Sequence, residues 1–172
     1  MSTGLLFDCD ALVAQFLFKK YDWRPFKYDH AIGLLVNGSL QGAVLFHCFN
    51  NFNVEMSYYG KATMTVGVVR TLARFAIAVF NPSRITIITS KRNKRYIRGY
   101  QKLGFQLEGV QRCFYGHRDC NRNTGVRLVM YRERINTIAK VDKNADATTP
   151  RVLPRRHVHG RAEHPIAGQP AE

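Results

Sequence analysis

The stretch "NKRYIRGYQKLGF", residues 93–105, sets Ile97, Tyr100 and Leu103 three apart, as on one face of a helix. Asn93 stands where a helix cap is wanted and Gly104 where a helix ends. Lys94, Arg95 and Arg98 crowd the first turns, and Lys91 and Arg92 come just before them. A helix start is the positive end of its dipole, so these cations repel it and one another. Such a pattern is relieved by an anion, and phosphate suits a helix start best. A second candidate for chemistry is Glu55, the sole acid between Asp29 and Glu108. Alternation in "NVEMSYY" puts Glu55, Ser57 and Tyr59 on one strand face and Val54, Met56 and Tyr58 on the other. A lone carboxylate there is either a solvated strand acid or a base, with His47 as a rival base on the preceding strand. On spacing alone, Tyr100 is a core tyrosine of an amphipathic helix. Cys113, His117 and Cys120, even with Cys48 or His47, do not have zinc-finger or zinc-ribbon spacing, so no metal site is assigned. His157, His159 and His164 are too far apart to make one.

The elements that must hold these residues follow from periodicity. Residues 8–20 read as a helix, with Asp8 or Asp10 at its start and Lys19 and Lys20 at its negative end. "YDWRPFKYD" is a loop. "HAIGLLV" and "LQGAVLFHCF" form a hairpin around Asn-Gly, and "NFNVEMSYYG" is a third strand. After the loop "KATMT", residues 66–80 repeat apolar positions at helical spacing, with Thr65 as cap and "NPS" as stop. "RITIITS" is a strand, and the helix from Asn93 comes next. "FQLEGVQRCFYG" and "GVRLVMYRER" are two last strands around "HRDCNRN". The order α β β β α β α β β, with one strand–helix–strand unit between antiparallel strands, is an α+β fold. Residues 1–136 form the domain. Residues 137–172 are polar, hold four of the six prolines and read as a flexible basic C-terminal tail.

Bulk composition narrows the function. Hydrophobic residues make up 45 % of the 172, enough for a real core. Four cysteines do not suggest a disulfide scaffold, and no secretory leader is evident. Arg70 and Arg74 break the most apolar segment, so no membrane span is expected and a cytoplasmic protein is. Net charge is +14, and residues 84–134 hold 13 Lys and Arg against 3 Asp and Glu. That field favours phosphates, on a cofactor or on nucleic acid, and disfavours cationic substrates such as polyamines.

"NKRYIRGYQKLGFQLEGVQR" resembles the signature of GNAT-superfamily N-acetyltransferases, especially the RimJ/RimL-like branch. The matching positions are Asn93, Tyr100, Lys102-Leu103-Gly104-Phe105, Glu108-Gly109 and Arg112. The element order from residue 8 to 134 follows the same fold: a mixed, mostly antiparallel central sheet flanked by helices (αβα). The chain with its "FNNFNVEMSYYG" strand is also similar to small acetyltransferases encoded by bacteriophages and prophages, which would place it in a host cytoplasm. One feature departs from the family. Its phosphate loop reads Gln/Arg-x-x-Gly-x-Gly/Ala, whereas this chain has "GKATMTVGVV".

The resemblance implies acyl transfer from acetyl-CoA, or another acyl-CoA, to a primary amine on an unidentified acceptor. It implies Tyr100 at the leaving thiolate and Glu55 as general base, direct or through water. Asn93, Met56, Tyr58, Gly60, Lys61, Thr65, Lys94, Arg95 and Arg98 would hold the cofactor. A nucleic acid is a second expected partner, through the basic surface of residues 84–134. The rival reading is a nucleic-acid-binding or DNA- and nucleobase-modifying protein on the same scaffold.

Overall fold

A computed structural model describes residues 2–21, 27–60, 64–117, 119 and 121–140. Its core is one seven-stranded sheet with helices on both faces. Strand β1 (Thr3–Leu6) leads into helix α1 (Asp10–Tyr21). β2 (His30–Val36), β3 (Ser39–His47) and β4 (Asn53–Gly60) form a meander. Helix α2 (Val66–Phe80), β5 (Arg84–Ser90) and α3 (Lys94–Leu103) come next, then β6 (Gln106–Gln111), β7 (Gly125–Tyr131) and α4 (Arg132–Ala139). The sheet order is β1-β2-β3-β4-β5-β7-β6, and β4 with β5 is its parallel pair.

Local chemistry explains most of these elements. Asn37 and Gly38 both have positive φ, so the two-residue turn suits the right-handed twist of β2 and β3. Thr65 caps α2 by accepting from the Val68 amide at 3.3 Å. Gly104 ends α3 in the left-handed region at φ 102°. Arg134 of α4 then donates from Nε to the Leu103 carbonyl at 2.9 Å, placing a cation at the negative end of α3.

The two sheet faces carry separate cores. Ile32, Val44, Phe46, Val54, Met56, Ile85, Ile87 and Leu128 pack against α2, α3 and α4. Ala31, Ala43 and Leu45 pack against Val13 and Leu17 of α1 on the opposite face. Asp10 fastens α1 to the sheet, its Oδ1 accepting from the Ala31 amide at 2.6 Å.

The structure corrects the sequence reading at both ends and at one cap. β1 adds an edge strand ahead of the first helix, paired with β2 from Thr3↔Val36 to Leu6↔Gly33. The last strand stops at Tyr131 rather than Arg134, and residues 132–139 are helical. Ile135 and Ala139 are fully buried, so the folded region runs past residue 136. Arg74 of α2 closes that helix by donating to the Ala139 carbonyl at 2.9 Å. Asn93 sits at the N-cap position without capping through its side chain, which donates to Thr89 Oγ1 at 3.1 Å instead.

These corrections set an expectation. A chain ending after Lys140 should melt in one cooperative step. A chain ending after Tyr131 removes Ile135 from the core, and burying one such side chain is worth roughly 1.5–3 kcal/mol. Circular dichroism melts should show the shorter chain strongly destabilised or unfolded.

Candidate active site

Parallel pairing between β4 and β5 covers only Asn53↔Arg84, Val54↔Ile85 and Glu55↔Thr86. Both strands continue beyond it, β4 to Gly60 and β5 to Ser90, but no longer paired with each other. The closed end is pinned by Asn53, whose Oδ1 accepts from Arg84 Nε at 3.1 Å and from Thr86 Oγ1 at 2.5 Å. Past Glu55, the β4 edge that faces β5 has no ladder partner among the described residues. A strand edge of that kind accepts an extended, amide-bearing ligand.

A cavity of about 230 Å³ occupies the parting of the strands. It is lined by Tyr58, Tyr59 and Gly60 of β4, Thr89 of β5, Asn93, Tyr96 and Tyr100 at α3, and Tyr21 at the end of α1. Five of the chain's eight tyrosines therefore meet here. Tyr100 is buried, with its ring edge-to-face on Phe105, and burial pushes its phenol up to about 12. Tyr115 lies beside the cavity residue Tyr59; its phenol is raised by burial first and by Tyr59 second. Among the described lining residues none is a carboxylate or an imidazole.

Gly60 lines the cavity at the end of β4. It pairs with Gly42 of β3 and has φ +150°. A Cβ on Gly60 would lie 2.6 Å from the Gly42 Cα and 2.9 Å from the Gln41 carbonyl oxygen. Only glycine lets the two backbones come this close.

The residues singled out in the sequence fall into three groups. Tyr100, Asn93, Tyr58 and Gly60 line the cavity together. Met56 is a core side chain on the Tyr100 face, and Thr65 is the cap of α2; neither lines the cavity. Lys94, Arg95 and Arg98 are exposed along α3, with Arg98 Nε donating to the Lys94 carbonyl at 3.3 Å. Lys61 lies outside the described residues.

Glu55 stands apart from Tyr100. Its face of β4 is the α1 face, which it shares with Ser57 and Tyr59, and one of its oxygens lies 3.8 Å from His47 Nδ1. His47 is buried, and its Nε2 is 2.9 Å from Ser57 Oγ. Burial lowers the His47 pKa, opposed by the nearby Glu55 and Asp29 charges.

The Glu108-Gly109 of the signature forms a β-bulge: Leu107 pairs with Leu128 and Gly109 with Arg127, leaving Glu108 as the extra residue. Its carboxylate reaches Arg84 on β5 at 2.5 Å. Cys113 is disulfide-bonded, which removes the thiolate that a metal site in "CFYGHRDC" would need.

Sequence reasoning missed Tyr21, Tyr59, Thr89 and Tyr96 as site residues. Tyr96 precedes Tyr100 by four residues and so shares its helix face, a signal that was available. Tyr21 and Thr89 reach the cavity through tertiary packing that no local pattern encodes.

No protein-family model matches the sequence, and no curated protein matches it. Solved structures do match the fold. Mutant forms of the spermidine/spermine N-acetyltransferase SpeG from Vibrio cholerae superpose with a TM-score of 0.67 at 10% identity, covering 79% of this chain and 98% of that one. An N-acetyltransferase from Staphylococcus aureus Mu50 gives 0.60 at 14% identity, over 76% and 99% of the two chains. A GNAT-family acetyltransferase from Streptococcus pneumoniae gives 0.56 at 14% identity, over 76% and 99%. With its sheet order and parted β4–β5 pair, this chain has the GNAT acetyltransferase fold.

Proposed function

We propose that the protein is an N-acetyltransferase that moves an acetyl group from acetyl-CoA to a primary amine. The observation that carries this reading is the parting of β4 from β5 over a cavity lined by Tyr100, Asn93 and Thr89. The unpaired β4 edge suits the amides of a pantetheine arm, with Asn93 alongside. The same cavity supports Tyr58 and Gly60 as cofactor residues. For Met56 the support is its backbone place on that edge, since its side chain is core. The N-terminus of α2 at Thr65 has no acid in its first turn, which suits a pyrophosphate. Bound there, acetyl-CoA supplies the acyl group and its thiolate departs.

Tyr100 acts on that thiolate as a hydrogen-bond donor. With burial holding its phenol at about 12, above the range of an ordinary thiol, moving its proton outright to the thiolate would be uphill. Holding the proton and donating a hydrogen bond carries no such cost. Glu55 has no base role in this reading, because it faces His47 on the far side of the sheet from Tyr100. The acceptor amine enters neutral or gives its proton to water, and the tyrosine faces attract an ammonium that approaches.

The acceptor is not a polyamine in this reading, since the described lining residues offer no carboxylate to a polycation. The exposed cations of α3 favour an amine carried on an anionic molecule such as a nucleic acid. None of Lys91, Arg92, Lys94, Arg95 and Arg98 is in an ion pair with a described residue. The rival reading, a nucleic-acid binder without transfer, is less favoured, because it gives the parted strands and the buried phenol no task. Release of free CoA thiol from acetyl-CoA should depend on added amine and be linear in enzyme. Tight acetyl-CoA binding with no release for nucleotide, oligonucleotide or peptide amines would favour the binder.

Nucleic-acid contact has its own expected signature. Each phosphate neutralised on duplex DNA steepens the dependence of log affinity on log salt by about 0.9. Replacing Arg92 and Arg95 by Ala should flatten that slope by roughly two if both touch phosphate. Absence of salt-dependent binding by the wild-type protein at low ionic strength would leave the cations to the cofactor and to solubility.

A further inference from the structure

The root of the cleft carries a second cluster that acyl transfer does not use. His47 ends β3, Cys48 follows it, and Glu55 lies opposite His47 in the antiparallel register of β3 and β4. One ligand atom from each of the three lies within 4.8 Å of the others. His47 Nδ1 is 3.4 Å from Cys48 Sγ and 3.8 Å from a Glu55 carboxylate oxygen. A tetrahedral zinc ion at ordinary bond lengths sets its nitrogen and sulfur ligands about 3.6 Å apart, and nitrogen and oxygen about 3.4 Å apart. Both distances from His47 Nδ1 are therefore within a few tenths of an ångström of ligand geometry.

We propose that His47, Cys48 and Glu55 form a site for a divalent transition-metal ion of the zinc class. Three further observations support it. The donor set is imidazole, thiolate and carboxylate, which borderline-soft ions prefer over calcium or magnesium. His47 Nε2 is engaged by Ser57 Oγ at 2.9 Å, so Nδ1 is the nitrogen turned toward Cys48 and Glu55. An outer hydrogen bond of that kind orients metal-ligating imidazoles generally. Cys48 also sits at φ +54°, outside the extended backbone of β3, and its thiol lies against the His47 ring. Three protein ligands leave one coordination position for water or a substrate atom. The ion would clip the end of β3 to β4 at Glu55, the last residue of β4 paired to β5. The proposal does not depend on the acyl-transfer reading.

Cobalt(II) is the probe, because tetrahedral cobalt–thiolate sites absorb in the visible and give a thiolate charge-transfer band in the near ultraviolet. Full-length protein, stripped with a chelator and handled without oxygen or added reductant so that the Cys113 disulfide stays closed and Cys48 stays a thiol, should bind one equivalent with both features, and zinc should bleach them. Cys48 is exposed, so Cys48→Ser should fold and should lose the charge-transfer band. Glu55→Gln and His47→Gln should each weaken cobalt binding at least tenfold, and Ser57→Ala about tenfold. No charge-transfer band in the wild type, or an equal band in Cys48→Ser, would overturn the site. The second result would place the ion on another cysteine. Unchanged affinity in both Glu55→Gln and His47→Gln would overturn it as well.

Discussion

Tyr100→Phe is expected to lower turnover about a hundredfold, the usual effect of removing one hydrogen-bond donor to a developing negative charge. The Michaelis constant for acetyl-CoA should stay nearly unchanged, because the ring, its packing on Phe105 and the cavity wall are retained. Stability should change little for the same reason. Protonation gives a second readout. With its pKa at about 12 the phenol is a donor throughout the neutral and alkaline range, and donation is lost only as pH rises through that value. Wild-type rates should therefore show no falling limb from Tyr100 below about pH 11. A turnover equal to wild type would make Tyr100 a packing residue.

Gly60→Val is expected to damage both fold and site. The new side chain begins 2.6 Å from the Gly42 backbone, and φ +150° is unfavourable for any L residue with a Cβ. Strain of that kind costs on the order of 1–3 kcal/mol and overpacking a similar amount. Because β3 must move away from β4 to relieve it, acetyl-CoA affinity should fall as well. Gly38→Val is the control: a Cβ there meets nothing within 4 Å, and Gly38 does not line the cavity. Its φ of +78° leaves backbone strain alone, so stability should fall with little loss of acetyl-CoA affinity. Denaturant melts with and without ligand separate the two effects.

Much of the centre of the fold was legible because each element there carries its own punctuation. Asn37-Gly38 dictates a tight hairpin, Thr65 caps α2, and Gly104 stops α3. The ends lacked such marks. α4 begins after Tyr131 without a capping side chain and ends at Lys140 rather than at a glycine. Its first residues, Arg132, Glu133 and Arg134, follow β7 with no glycine or proline between, so they read as strand. β1 is four residues long and made by its pairing with β2. The type and place of Asn93 fit a side-chain cap, but its Nδ2 donates to Thr89 Oγ1 of the preceding strand and its side chain makes no cap hydrogen bond. Glu55 shows the same limit within the site. Alternation correctly set it opposite Met56, but which face of β4 meets α3 is decided by long-range packing. That choice placed Met56 under Tyr100 and Glu55 beside His47.

The central claim is that the parting of β4 and β5 binds an acyl-CoA, and a thermal melt with acetyl-CoA tests it most directly. A ligand that binds the folded state alone adds about 2.7 kcal/mol at a hundred times its dissociation constant. The melting temperature should rise progressively with acetyl-CoA, and the rise should be reduced in Gly60→Val. A melting temperature unmoved by millimolar acetyl-CoA would contradict the account.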